Sequence, residues 1–147
     1  MAYSARELLA RIIKCEAGGE GETGMKAVAT VVMNTVHAAE GEYQRVNQGD
    51  LRKVIFQPGQ FDCVRSVLGG VANPQTIWAS EPEQIHYDIA DWALAGNKLY
   101  NLDPTLWYMN PFDPECPIYF PYNKTGVINQ RIRKHCFFDP TELYKDT

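Results

Sequence analysis

The first hydrophobic pattern along the chain has the spacing of an amphipathic helix. Ser4 and Glu7 stand as in a capping box, in which a hydroxyl and a carboxylate each satisfy a backbone N–H at a helix start. The apolar positions that follow are Leu8, Leu9, Ile12 and Ile13. This pattern predicts a helix over residues 4–17, and the next position on its apolar face is Glu16.

Glu16 stands where the helical pattern predicts another leucine. Apolar surroundings disfavour a charged carboxylate, so we expect the pKa of Glu16 to lie above its usual value. The glycines at 18 and 19 are expected to end the helix and leave the carboxyl group at the edge of a cleft. A partly protonated carboxylic acid is what a general acid in glycosidic cleavage needs. The alternative is an outward-facing glutamate that pairs with a lysine or arginine.

A second helix is predicted from Glu22 or Thr23 to Val36. It is apolar on nearly all sides, which is typical of a buried central helix. Asn34 interrupts this apolar surface. Because a buried asparagine needs hydrogen-bond partners, we expect its amide to hold a neighbouring loop in place; a ligand contact is the alternative.

The next segments predict a loop, a short helix and a turn. Residues 38–49 are polar, contain two glycines and are predicted to form a loop that lines a groove. Asp50 then caps a short helix. The segment FQPGQF at 56–61 has Pro-Gly at its centre, a strong turn signal. We expect Gln57 or Gln60 to bind sugar hydroxyl or acetamido groups above Phe61 as a floor. A packed turn is the alternative.

The pattern changes in the second half of the chain. A helix is predicted from the capping-box pattern of residues 80–83 to Gly96, with His86 on its polar face as a surface histidine. Short aromatic segments separated by prolines follow, and strands are predicted at 106–111, 118–120 and within 126–138. Helices first and a small antiparallel sheet in the C-terminal half indicate an α+β fold, expected to form a single domain over residues 1–147.

Composition and charge exclude several classes of protein. The chain has 45% hydrophobic and 22% charged residues, which is ordinary for a globular protein. Its net charge of −4 argues against binding nucleic acid by bulk electrostatics, so no nucleic-acid partner is expected. No apolar run reaches the length of a membrane-spanning helix, and the N-terminus lacks the basic-then-apolar layout of a secretory signal.

The four cysteines are Cys15, Cys63, Cys116 and Cys136. They are far apart and form no CxxC motif, so their spacing does not predict a zinc site. We expect four reduced, mostly buried thiols. A disulfide between Cys116 and Cys136 is the alternative that the spacing leaves open.

Several segments resemble, in the same order, the SleB/CwlJ family of cell-wall hydrolases, the spore cortex-lytic enzymes of endospore-forming bacteria. The segments are KCEAGGEGETGM at 14–25, VMNTV at 32–36, FQPGQF at 56–61, LWYMNP at 106–111, ECP at 115–117 and KHCFF at 134–138. The ECP and KHCFF segments and the short chain are most similar to the CwlJ branch. The resemblance runs from about residue 6 to residue 140, nearly the whole chain.

The resemblance implies a lysozyme-like catalytic domain that acts on peptidoglycan. The acid of the family's E-A-x-G-E motif falls on Glu16, which the helical pattern also selects. Family members are described as lytic transglycosylases, which cut between N-acetylmuramic acid and N-acetylglucosamine without a second catalytic carboxylate. A hydrolytic route needs one, and Glu20 is the nearest candidate, with capping of the second helix as its alternative role. Tyr108 and Asn110 match family positions and are expected to line the groove.

The resemblance also implies a location and partners. The expected location is the coat and cortex region of an endospore, where coat proteins retain CwlJ-like enzymes, so a coat protein is an expected partner besides the cortex glycan. No cofactor and no metal site are predicted; an activating ion such as calcium would have to be found by assay. The alternatives are a hydrolytic muramidase or phage-type lysin, and a non-catalytic glycan-binding coat protein.

Overall fold

The computed structural model describes residues 3–65, 67–73, 76–79 and 81–147. In these ranges the α-helices are α1 (Ala5–Ala17), α2 (Gly21–Val36), α3 (Gly41–Asn47), α4 (Leu51–Phe56) and α5 (Gln84–Leu94). The strands are β1 (Val67–Leu68), β2 (Val71–Ala72), β3 (Trp107–Met109), β4 (Gly126–Ile132) and β5 (His135–Pro140). Helices precede the larger sheet, so the predicted α+β class is confirmed. None of these helices is long and apolar enough to cross a membrane.

Helix α1 forms where the hydrophobic pattern predicts it. The Ser4 hydroxyl accepts a hydrogen bond from the Glu7 N–H, which is the first half of the predicted capping box. The Glu7 carboxylate does not complete the box; it accepts hydrogen bonds from Arg11 and Tyr87 instead. All four predicted apolar positions of α1 are buried. Burial of this face fixes the helix against the core and determines the direction in which its C-terminal end points.

Helix α2 is the buried central helix that its composition predicts. It begins at Gly21, slightly before the predicted start. The Asn34 amide donates hydrogen bonds of 2.9 Å to the backbone carbonyls of Leu102 and Thr105. The prediction that Asn34 holds a neighbouring loop in place is therefore confirmed.

The prediction of a loop over residues 38–49 and the prediction that His86 lies on the surface are both wrong. The predicted loop at 38–49 contains helix α3, because Tyr43 packs against Tyr144 and its N–H donates to the Tyr144 hydroxyl, a contact 101 residues away along the chain. Helix α5 begins at Gln84 with Glu83 as its N-cap, while Ser80 of the predicted capping box lies outside the described residues. His86 is buried and not a surface histidine, because its Nδ1 accepts the Glu83 N–H and completes the cap.

The larger sheet is antiparallel, with the strand order β3–β5–β4. Tyr108 pairs with Phe137 and Met109 with Cys136. The predicted strand at 118–120 is reduced to an isolated bridge between Tyr119 and Val127. Prolines on both sides of this segment explain the short pairing, since they remove backbone donors.

The sheet meets the helices at Tyr108. One core cluster lies among α1, α2, α4 and α5, and a second joins Phe137 of β5 to Ala27 and Val31 of α2. Tyr108 packs against both clusters. Strand β3 therefore carries this side chain to the boundary between the helical layer and the sheet.

Cys116 and Cys136 form a disulfide bond, so the expectation of four reduced thiols is wrong. Cys136 lies near the start of β5, and the segment that follows β3 brings Cys116 to a Cα–Cα distance of 5.9 Å from it. This separation suits a disulfide. Cys15 and Cys63 are in the thiol form. Sequence spacing could not show which cysteines are bonded and which are thiols, because the approach of Cys116 to Cys136 depends on the pairing of β3 with β5.

Candidate active site

Glu16 lies in the last turn of α1, which ends at Ala17 as the glycines predict. Gly18 follows, and its N–H bonds the Lys14 carbonyl. A Cβ at position 18 would lie 2.5 Å from the Lys14 oxygen, so glycine is required for this close approach. The helix therefore stops immediately after Glu16, and its carboxyl group is half-buried.

Two side chains hold the Glu16 carboxyl group. The Tyr108 hydroxyl donates to Oε1 at 2.5 Å, and the Cys63 thiol donates to Oε2 with an Sγ–Oε2 distance of 3.6 Å. Burial raises the pKa of Glu16, and the hydrogen bonds from Tyr108 and Cys63 partly offset this increase. The negative charge of Asp62 acts in the same direction as burial. The predicted increase in the pKa of Glu16 is therefore confirmed.

The thiol beside Glu16 also has a perturbed pKa. The pKa of Cys63 is raised. The largest cause is a hydrogen bond with Cys15, and burial and the charge of Glu16 also contribute. A protonated Cys63 thiol keeps its donor to Oε2. Burial and the nearby Glu16 carboxylate likewise raise the pKa of Tyr108, so its hydroxyl also remains a donor.

Glu16 lies in the walls of two cavities. The first, named here the aromatic cavity, has a volume of about 390 Å³. Its lining includes Glu16, Tyr43, Gln60, Phe61, Trp107, Tyr108, Phe120 and Tyr144. The second, the turn cavity, has a volume of about 1010 Å³. Its lining includes Glu16, Lys14, Cys15, Gly19, Glu20, Asn110, Lys134 and His135. Among the described residues, Glu16 is the one that the two linings share.

Glu20 is buried at the start of α2, and its side chain points to the β4–β5 turn. Glu20 occupies the N-cap position of α2, as its alternative role requires, but its side chain makes no hydrogen bond to the helix N-terminus. Its Oε1 accepts the Lys134 N–H at 3.1 Å and lies 3.2 Å from His135 Nδ1. Burial lowers the pKa of His135, while the charge of Glu20 raises it. Glu20 thus connects α2 to the sheet beside the turn cavity.

The turn at 56–61 contributes two of its three predicted residues to the aromatic cavity. Gln60 and Phe61 lie in its lining, and Gln60 Oε1 is 3.5 Å from the Tyr43 hydroxyl. Gln57 lies in neither described cavity wall; its amide donates to Glu42 at 3.2 Å. Phe61 is buried, as a floor requires.

Tyr108 of β3 and Asn110, which follows the strand, line different cavities. Tyr108 lines the aromatic cavity and contacts the Glu16 carboxyl group, a stronger association than the predicted groove lining. Asn110 lies in the turn cavity, where its Oδ1 accepts the Phe112 N–H at 2.8 Å. The contact between Tyr108 and Glu16 was not predictable from local patterns, because 92 residues separate the two along the chain.

Two kinds of site residue, thiols and aromatic residues, were not predicted from the sequence. The sequence patterns did not associate Cys15 or Cys63 with Glu16, although Cys15 is its neighbour in sequence. They also missed Trp107 and Tyr144, which line the aromatic cavity. An aromatic-rich C-terminal half was the available signal, but a core and a groove produce the same signal.

Residues 19–138 match the family model described as Cell Wall Hydrolase. The match spans more than half of the chain, and the chain therefore belongs to the cell wall hydrolase family. Family membership places it among enzymes that cleave the bacterial cell wall. Glu20 lies inside the matched range, whereas Glu16 lies three residues before its start.

Two of its relatives are cell wall hydrolases named CwlJ. The protein from Bacillus subtilis (strain 168) is 27% identical over 135 residues, covering 92% of this chain and 84% of the relative. The protein from Halalkalibacterium halodurans is 28% identical over 137 residues, covering 92% of this chain and 85% of the relative.

The fold is shared with solved catalytic domains. The catalytic domain of the Bacillus cereus SleB protein superposes with a TM-score of 0.66 at 24% identity, covering 94% of this chain and 93% of that chain. The SleB catalytic domain from Bacillus anthracis gives a TM-score of 0.64 at 23% identity, covering 94% of this chain and 98% of that chain. The expected lysozyme-like fold is thereby confirmed.

Proposed function

We propose that this chain is a lytic transglycosylase of the spore cortex that cuts peptidoglycan between N-acetylmuramic acid and N-acetylglucosamine, with Glu16 as its acid and base. The observation that carries the proposal is the position of the Glu16 carboxyl group, half-buried and shared by two cavities. A glycan strand that occupies both cavities would place a glycosidic bond next to this group, with sugar units on either side.

In the first step, protonated Glu16 donates its proton to the glycosidic oxygen. The bond from that oxygen to C1 of N-acetylmuramic acid breaks, and C1 acquires oxocarbenium character. The raised pKa of Glu16 supports this role, because it keeps a larger share of the carboxyl group protonated near neutral pH. The substrate acetamido group or nearby dipoles stabilise the positive charge.

In the second step, the Glu16 carboxylate takes the proton from the C6 hydroxyl of the same muramic residue. O6 attacks C1 and closes a 1,6-anhydro ring, so Glu16 returns to its protonated form. Both steps use groups of the protein and the substrate alone, and the proposed reaction therefore needs no cofactor.

Tyr108 is proposed to position the acid. Its hydroxyl holds Oε1, while the Cys63 thiol approaches Oε2, so the carboxyl group has a defined orientation. Such orientation matters because the proton must be delivered to one oxygen of the substrate within hydrogen-bond distance.

Hydrolysis is the second candidate reaction. The presence of a second carboxylate, Glu20, in the same cavity wall as Glu16 favours it. Hydrolysis requires another carboxylate to position water or to form a covalent intermediate. Glu20 lies in the lining of the turn cavity together with Glu16 and falls within the range of the family match. Its contacts with Lys134 and His135 support a positioning role instead.

The test is mass spectrometry of glycan fragments after incubation of purified spore cortex with the protein. The wild type should produce anhydro-muramic ends, and Glu16→Gln should reduce them by about a hundredfold or more. Glu22→Gln is the matched control, because Glu22 is an exposed carboxylate on α2 that pairs with Lys26. Equal activity of Glu16→Gln and the wild type would overturn the assignment of Glu16.

Other products identify the other candidates. Reducing muramic ends that disappear in Glu20→Gln would indicate hydrolysis with Glu20 as the second carboxylate. Cortex binding without fragments, in both the wild type and Glu16→Gln, would indicate the glycan-binding alternative. Digestion of the same cortex by a muramidase shows that the substrate is intact and accessible.

The spore is the proposed location because the relatives support it. The related chains are cell wall hydrolases of Bacillus and its allies, and the Bacillus anthracis domain is described as a germination-specific lytic transglycosylase. A coat protein is the proposed partner in the spore. Fractionation of spores followed by immunodetection tests both: the chain should be found in the coat and cortex fractions, and its recovery in the core alone would contradict the proposal.

A further inference from the structure

Cys15, Glu16 and Cys63 bring two thiols and a carboxylate together. Within the described ranges, their ligand atoms all lie within 4.8 Å of one another. Cys15 and Glu16 are consecutive residues of α1, whereas Cys63 belongs to the short 3₁₀ turn Asp62–Val64. The two segments are brought together by the fold, so sequence spacing does not show the cluster.

We propose that Cys15, Glu16 and Cys63 bind a thiophilic divalent cation of the Zn²⁺ or Cd²⁺ type, with Sγ, Oε2 and Sγ as its ligands. Zn²⁺ takes thiolate and carboxylate ligands in tetrahedral sites, and soft sulfur ligands favour it over Ca²⁺ and Mg²⁺, which prefer oxygen. Binding releases a proton from each thiol and any proton on the carboxyl group to solvent.

The distances suit such a site. With bonds of about 2.3 Å to sulfur and about 2.0 Å to oxygen, a tetrahedral ion holds a sulfur and an oxygen about 3.5 Å apart. Cys63 Sγ and Glu16 Oε2 are 3.6 Å apart. Two sulfurs on the same ion are about 3.8 Å apart, and Cys15 Sγ now lies within 4.8 Å of both other ligand atoms. Its distance to Cys63 Sγ therefore has to shorten by at most about 1 Å, and its distance to the Glu16 oxygen by at most about 1.3 Å.

Tyr108 supports the site from outside the ligand set. Its hydroxyl bonds Oε1 of Glu16, which leaves Oε2 directed at the sulfur of Cys63. Hydrogen bonds of this kind orient ligating carboxylates in metal sites. The carboxyl group therefore presents one defined oxygen to the cation.

The cation can enter through the turn cavity. Cys15 and Glu16 lie in its lining, while Cys63 is buried behind them. Three protein ligands leave a fourth position for water, as in open zinc sites. An ion on Oε2 also occupies the group that transfers the proton, so Zn²⁺ should inhibit cortex cleavage; this last consequence rests on the proposed function.

The test is Cd²⁺ titration of the full chain, with the Cys116–Cys136 disulfide intact, followed by ultraviolet absorption of the sulfur–cadmium bond. One equivalent of Cd²⁺ should produce this absorption. Cys15→Ser and Cys63→Ser should each weaken Cd²⁺ binding at least about tenfold. Glu16→Gln should weaken binding but retain the absorption, because both sulfurs remain. The absorption measures Cd²⁺ binding and does not depend on catalytic activity. The test therefore remains valid even if the proposed function is wrong.

The control is Glu22→Gln, which removes an exposed carboxylate near the same turn and should leave Cd²⁺ binding unchanged. Excess Ca²⁺ should not displace Cd²⁺. The proposal is overturned if wild type shows no sulfur–cadmium absorption, or if both cysteine variants bind Cd²⁺ as tightly as wild type.

A second measurement needs no substitution and therefore does not depend on the folding of a variant. Saturating Zn²⁺ should slow iodoacetamide alkylation of Cys15 at least about tenfold, whereas Ca²⁺ should have no effect. Mass spectrometry of the peptide that contains Cys15 measures the rate. An alkylation rate that Zn²⁺ does not change would also overturn the proposal.

Discussion

The Tyr108 hydroxyl controls Glu16 from a strand 92 residues away along the chain. We expect Tyr108→Phe to raise the pKa of Glu16, because it removes a hydrogen bond that lowers this pKa. The alkaline limb of the pH–rate profile should therefore move to higher pH. The maximal rate should fall by up to about a hundredfold, since the acid loses its fixed orientation. The pH dependence of fragment release measures both effects.

Tyr122→Phe is the matched control for this prediction. It makes the same chemical change, removal of one tyrosine hydroxyl, at a residue that is almost fully exposed. Its pH–rate profile should equal that of the wild type. An alkaline limb that moves to lower pH in Tyr108→Phe would contradict the role assigned to the hydroxyl.

Burial of Glu16 has a cost for folding that depends on pH. Because the folded-state pKa is raised, the folded protein binds the Glu16 proton more tightly, and stability falls as pH rises through that pKa. Glu16→Gln should therefore increase the free energy of unfolding by roughly 0.5–2 kcal/mol near pH 8. The gain should shrink below the pKa of an ordinary glutamate. Urea unfolding at both pH values measures the difference; a less stable variant at pH 8 would contradict it.

The partly buried position of Glu16 and the direction of its pKa shift were predictable from the sequence, while its hydrogen-bond partners were not. A carboxylate at a leucine position of α1, two residues before a pair of glycines, is a local pattern. The contacts with Tyr108 and Cys63 depend on how β3 and the 3₁₀ turn pack against α1, and no local pattern encodes that packing. Glu20 illustrates the same limit, because its partners belong to the β4–β5 turn.

At the scale of the elements, the start of α2 has no room for a side chain at Gly24. A Cβ there would lie 2.5 Å from the Glu20 Cβ. We expect Gly24→Ala to destabilise the protein by about 1 kcal/mol, since overpacking outweighs the gain in helix propensity. Displacement of Glu20 should also weaken its contacts with Lys134 and His135. Thermal unfolding measures the loss.

Gly19→Ala provides the comparison for Gly24→Ala. A Cβ at position 19 would meet no atom within 4 Å, so its effect should stay within about 0.5 kcal/mol. Equal melting temperatures for the two variants would contradict the prediction, because they would show that the close contact between positions 20 and 24 does not destabilise Gly24→Ala.

Local patterns predicted the two long helices and the short helix α4, which Asp50 caps as expected, but they did not predict α3. Helices α1 and α2 show a clear apolar pattern over several turns, and both were predicted. Helix α3 has seven residues and depends on the packing of Tyr43 against Tyr144. His86 was predicted to be exposed because the helical pattern does not show that its ring closes the cap of α5.

At the scale of the whole molecule, the disulfide connects the segment after β3 to β5. In the chain-entropy description, a crosslink over 20 residues contributes about 3 kcal/mol. We therefore expect reductant to lower the urea midpoint of the wild type. Cys116→Ala should unfold at this lower midpoint with or without reductant. An unchanged wild-type midpoint after verified reduction would contradict the prediction.

The disulfide also changes what a single cut in the chain can do. Cys116 and Cys136 close a covalent ring that contains all of β4 and the turn leading into β5. A protease that cleaves one peptide bond within this ring leaves the two pieces attached to each other through sulfur. The nicked protein keeps one molecular mass, changed only by one water, until a reductant separates the fragments.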